Sequence, residues 1–176
     1  MSDDLVPFPP PPQGVYLVGF RLDPRAEGAQ FYTLVSLEGD SERPITREGR
    51  ILFFHNPQDA ARALALAGPE FPRLSQPQAE VEMLCDLAHT LYVVHSLDED
   101  EEGVLFDTIA CLDDLLHAIE ISVPAQYGKI LAGLSRALDK GPKFAEWLTI
   151  QEIPRESVED ALLWCIGAVA VKGSWV

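Results

Sequence analysis

Strand-like runs organise the first third of the chain, and an apolar repeat of three to four residues organises most of the remainder. Val15 to Leu22 and Phe31 to Leu37 are rich in Val, Leu, Tyr and Phe, side chains that fit a pleated, half-buried surface. Asp23-Pro24 and Gly28 lie between them, so the two runs predict an antiparallel hairpin with a long loop. Glu38-Gly39-Asp40 through Pro44 reads as a turn region, and a short strand is predicted over Arg50 to Phe54.

Asn56-Pro57-Gln58-Asp59 has the chemistry of a helix start. Asn caps, Pro fits the first helical position, and Asp favours the positive N-terminal end. The helix is predicted to run to Ala67 and stop at Gly68-Pro69. Pro69, Pro72 and Pro77 make residues 69–79 a loop. A helix is then expected from Ala79 to Ala88, and a strand from Thr90 to Ser96 around Tyr92-Val93-Val94.

Beyond residue 100 the reading is helical. Over Val104 to Ile121, residues Leu105, Ile109, Leu112, Leu116 and Ile119 share one face. Further helices are predicted from Pro124 to Asp139, from Pro142 to Thr149, and from Pro154 or Ser157 to Val171. Ser157 and Asp160 have the spacing of a capping box. The last helix is apolar nearly all round from Ala161 to Ala170, which predicts either central burial or a subunit interface.

Together these elements predict an α+β fold. A small antiparallel sheet of three to four strands from the N-terminal half packs against a helical C-terminal half of about four helices. Residues 1–14, with Pro7 and Pro9 to Pro12, read as a proline-rich tail of extended backbone. Residues 15–176 read as one domain. The predicted core includes Tyr16, Val18, Phe20, Tyr32, Leu34, Phe53, Leu64, Leu105, Ile109, Leu116, Leu131, Leu163 and Ile166.

Charge narrows the function. The net charge is −15, and between Arg73 and Lys129 there are 12 carboxylates and no Lys or Arg. Such a surface opposes nucleic-acid phosphates and anionic lipid, and it suits a basic protein partner. The longest apolar run, Ala161 to Val171, spans 11 residues, whereas a membrane helix needs about 20. The acidic start Met1-Ser2-Asp3-Asp4 does not read as a secretory signal. Cys85, Cys111 and Cys165 form no CxxC pair, and the reading is of buried thiols in a reducing, cytoplasmic setting.

Three constellations have chemistry to offer. Asp98, Glu99, Asp100, Glu101 and Glu102 form an acidic run that fits a docking patch for a cationic partner. It fails as a calcium loop, because Ile109 stands where the distal Glu belongs. Asp113, His117 and Glu120 fall within about 60° of one another on the predicted helix, a set that suits a divalent metal or acid–base work. Cys85 and His89, four apart, would share a helix face, while His55 and His95 stand elsewhere. No GxSxG, phosphate-binding loop or GxGxxG occurs, and nothing calls for a cofactor. The favoured expectation is a non-catalytic acidic protein-binding module, of the inhibitor or immunity type, that acts on a basic partner. The alternatives are a metal-assisted enzyme using Asp113, His117 and Glu120, and a structural homo-oligomer assembled through the apolar C-terminal helix.

Overall fold

The computed structural model describes residues 13–69, 71 and 81–176; the proline-rich stretch before residue 13 lies outside them. Strands β1 (Gln13–Arg21) and β2 (Phe31–Glu38) form the expected hairpin, with Gln13 opposite Glu38 and Phe20 opposite Phe31. The segment read as a turn after Glu38 is mostly a strand, β3 (Ser41–Pro44), which returns along β2. Gly39, at φ 64°, turns the chain. Pro44 is tolerated because β3 is the edge of its sheet. A second hairpin joins β4 (Thr46–Arg47) to β5 (Arg50–Phe53), and its two turn residues, Glu48 and Gly49, both have positive φ, as tight hairpin turns require.

A single 3₁₀ turn at Pro57–Asp59 leads into α1 (Ala60–Leu66). Asn56 serves through its backbone carbonyl, which accepts the Asp59 N–H at 2.9 Å, and not through its side chain.

The next stretch reverses the expectation. Residues expected to be helical form β6 (Val81–Asp86), and those expected to be a strand form α2 (Leu87–Ser96). Burial explains both. Met83 and Cys85 alternate inward on β6, whereas Leu87, Thr90, Val93 and Val94 fall on one helix face in the core. A buried helical stripe outweighs the strand preference of Val93-Val94. Asp86 fixes the boundary: its carboxylate accepts the His89 N–H at 2.9 Å as an N-cap.

Four helices follow: α3 (Gly103–Ala118), α4 (Ala125–Lys140), α5 (Phe144–Gln151) and α6 (Arg155–Val171). Pro154 precedes α6 in extended backbone, so Ser157 lies inside the first turn and no capping box forms. A short strand, β7 (Gly173–Trp175), ends the chain.

The strands make two sheets, β3-β2-β1-β6 and β4-β5-β7. Both are mixed where a single antiparallel sheet is expected from the sequence: β6 pairs parallel to β1, and β7 parallel to β5. Each returns after a long crossover, β6 to β1 past β2 to β5 and α1, and β7 to β5 past β6 and the helices, as parallel pairing demands. One face of the four-stranded sheet meets α2 through α6 in the main core; the other covers a smaller cluster of Leu17, Leu34, Ile45, Phe54 and α1. Val18, Phe20, Leu34, Phe53, Leu105, Ile109, Leu116 and Leu131 are buried as predicted, and Tyr16, Tyr32, Leu64 and Ile166 are half-buried. Leu163 is 46% exposed. α6 is therefore not central: Val158, Ala161, Leu162, Cys165 and Val169 form its inward stripe, and the opposite side faces solvent.

Candidate functional site

The acidic run is partly consumed by the fold. Glu102 is buried, and its carboxylate accepts the Phe144 N–H at 2.6 Å, so it belongs to the core and not to an open patch. Asp98 accepts the Asp100 N–H at 3.1 Å, and Glu101 stands 3.5 Å from the His89 imidazole. Glu99, Asp100 and Glu101 are left facing solvent.

The Asp113, His117, Glu120 set does not assemble as one helix face. α3 ends at Ala118, and Glu120 sits at φ 56° beyond it. Its N–H donates to His117 and that of Ile121 to Leu116, the pattern of a Schellman cap. Among the described residues, no three His, Cys, Asp or Glu side chains are grouped to hold a metal ion. Cys85 and His89 also separate. Cys85 is buried at the end of β6 against Cys111, whose thiol is pushed well above its ordinary range by that contact and by burial. His89 points instead toward Glu101.

What the helices do bring together is a cleft of about 700 Å³ between α3 and α4. Leu112 and Leu116 of α3, Leu131 of α4 and Cys165 of α6 supply its apolar lining. Asp113, Asp114 and His117 line it from α3, and Ser135 and Arg136 from α4. Burial raises the Asp114 carboxyl above its ordinary range, reinforced by the charges of Glu42 and Asp113, and His117 offsets this in part. Tyr16 and Glu42 lie outside the cleft, in a smaller pocket that also reaches Asp114, and burial with the Glu42 carboxylate pushes the Tyr16 phenol up. Among the described residues, neither Asp113 nor Asp114 has a Lys or Arg within ion-pair distance. The cleft wall thus holds excess negative charge next to apolar surface. The Asp113-Asp114 pair beside Leu112 and Leu116 was the sequence signal for it. The contributions of Glu42 and Arg136 come from strands and helices too distant in sequence to be read.

Another pocket of about 270 Å³, which shares Leu112 with the cleft, opens at the end of the sheet beneath Trp175, and the described side chains that line it are apolar.

Among the described residues, two mixed sheets and six α-helices define an α+β fold. The crystal structure of the SatS C-terminal domain in complex with bromine has a similar fold: it aligns over 93% of this chain and 94% of that one, with a TM-score of 0.59 and 16% identity. At that identity the likeness is one of fold alone. No protein-family model and no curated protein matches this chain. No helix among the described residues is long and apolar enough to cross a membrane.

Proposed function

We propose that this chain is a non-catalytic protein-binding module that takes a basic, amphipathic segment of a partner protein in the α3–α4 cleft. The observation that carries this reading is the pair of carboxylates, Asp113 and Asp114, unpaired beside the apolar lining of the cleft. A partner's apolar stripe would cover Leu112, Leu116 and Leu131, as amphipathic segments do in apolar grooves. Its Lys or Arg side chains would relieve the repulsion around Asp114. Arg136 on the α4 side gives the segment a polarity, since a basic edge fits only toward α3. The surplus of carboxylates over the whole chain would speed capture and make it salt-sensitive.

The test is a titration with a synthetic amphipathic peptide carrying lysines along one edge, at low and high salt. Binding at one site is expected, weakening with salt and falling about tenfold when Asp113 and Asp114 are both changed to Asn. Equal binding by the double variant, or none at low salt, sinks the reading. Capture from native lysate with the same variant as control would then name the partner.

A second reading, self-association through the outer side of α6, rests on the exposure of Leu163 and Val171. Solution mass of the chain and of Leu163→Asp decides it: a dimer that the substitution splits supports it, and a monomer removes it.

A further inference from the structure

We infer that the pocket beneath Trp175 is a binding site for an uncharged, apolar small molecule, a role distinct from that proposed for the α3–α4 cleft, with which it shares the Leu112 side chain. The pocket lies at the end of β1, with Phe20 in the strand and Leu22 just past it, between α3 and α6, with Ile166 and Ala170 on one side and Trp175 on another. Its volume is about 270 Å³. Protein interiors rarely hold voids larger than a water molecule, and an engineered apolar cavity of about 150 Å³ in another protein takes up benzene. Room for a ring system with a short alkyl arm is therefore present.

The lining dictates the ligand's chemistry. Among the described residues the lining is apolar throughout, and the Trp175 indole N–H is its one polar side-chain group. A trapped water needs two to four polar partners, so water here is poorly held and its displacement is favourable. Among the described residues the lining has no side chain to pair with an anionic head or to accept from an ammonium. The net charge of −15 further disfavours a carboxylate or phosphate. What remains is a neutral apolar group.

The walls are also built, not incidental. Phe20 and Phe31 stack at 5.0 Å, and Trp175 sits 5.6 Å from the rings of both Phe31 and Phe53 and stacks on His55 at 4.5 Å. Parallel pairing of β7 with β5 holds the indole there. Leu22 and Trp175 are each about half exposed at the rim, so the pocket has an open mouth.

The experiment uses a neutral fluorescent probe, N-phenyl-1-naphthylamine, with naphthalene as competitor and laurate as an anionic control. The expected result is saturable binding at one site, displaced by naphthalene and not by laurate. Ala170→Asp and Leu22→Asp, which place a charge in the lining, should each weaken it about tenfold. Ile150→Asp, on exposed α5 surface outside the pocket, should leave it unchanged. Should Ala170→Asp fail to fold by circular dichroism, Leu22→Asp decides. Binding that does not saturate, that Ile150→Asp weakens equally, or that only an apolar peptide shows, overturns the inference.

Discussion

The Glu102 carboxylate accepts the Phe144 N–H at 2.6 Å across 42 residues of sequence. It ties the residue before α3 to the first residue of α5, whose opening N–H groups have no partner within the helix. Glu102 is 9% exposed and Phe144 1%, so neither end of the bond can turn to water. Glu102→Ala is expected to cost about 1–3 kcal/mol, the penalty for an unmet buried group. Glu102→Gln keeps an acceptor and should lose less. Asp100→Ala, in the same acidic run but exposed, should stay within about 0.5 kcal/mol of the parent. Urea unfolding measures all three, and equal losses for Glu102→Ala and Asp100→Ala would remove Glu102 from the core.

Asp114 gives a prediction in pH. Its carboxyl is raised in the folded state by burial and by the charges of Glu42 and Asp113. The folded chain therefore holds this proton more tightly than the unfolded chain does. That contribution is fully present below the unfolded value of about 3.9 and is lost as pH rises through the folded value. Asp114→Asn removes the charge that neutral pH imposes. The variant should melt above the parent at pH 7, and the gap should close toward acid pH. A variant that melts lower at neutral pH, or a gap independent of pH, would show that Asp114 is not held against its neighbours' charge.

Much of this architecture was legible because helices with one buried stripe advertise it. Leu105, Ile109, Leu112 and Leu116 repeat at helical spacing and are all buried. The hairpin of β1 and β2 announced itself by composition. Residues 81–96 did not, because Val93-Val94 carry strand preference into a helix, and the cap at Asp86 is a single residue. The polar strand Ser41–Pro44 has no apolar alternation to read. Of the site, Asp113 and His117 do share the cleft, while Glu120 was lost because the helix ends two residues before it. Parallel pairing and the facing Ser135 and Arg136 are tertiary facts with no local pattern.

Glu120 occupies a position that favours glycine. At φ 56°, with the paired hydrogen bonds of a Schellman cap, a side chain is strained by roughly 1–2 kcal/mol, partly offset by the freedom glycine has when unfolded. Its negative charge also lies at the negative end of α3. Glu120→Gly should stabilise the chain by a few tenths to about 1 kcal/mol. Glu120→Ala removes the charge and keeps the strain, so it should gain less. Thermal melts of the pair separate the two effects, and an equal gain from both would assign the whole effect to charge.

Gly173 tests how the pocket wall is made. A Cβ at this position would lie 2.8 Å from Phe53 Cδ2, 2.9 Å from Cε2 and 3.3 Å from the Ala170 carbonyl oxygen. Those ring atoms belong to a buried side chain packed in the core, and they cannot yield without shifting Phe20 and Phe31, against which Phe53 sits edge-on. Gly173→Ala must therefore push β7 away from β5, at a cost of about 1–3 kcal/mol for overpacking. The displacement carries Trp175 off His55 and Phe31. Trp175 is 55% exposed and Trp147 is buried, so loosening β7 should raise the access of a neutral quencher to tryptophan while Trp147 stays protected. Deleting Trp175 and Val176 serves as the control, since it removes the reporter without crowding Phe53. If Gly173→Ala leaves both stability and quenching unchanged, β7 does not pack on Phe53 closely enough to hold the indole over the pocket.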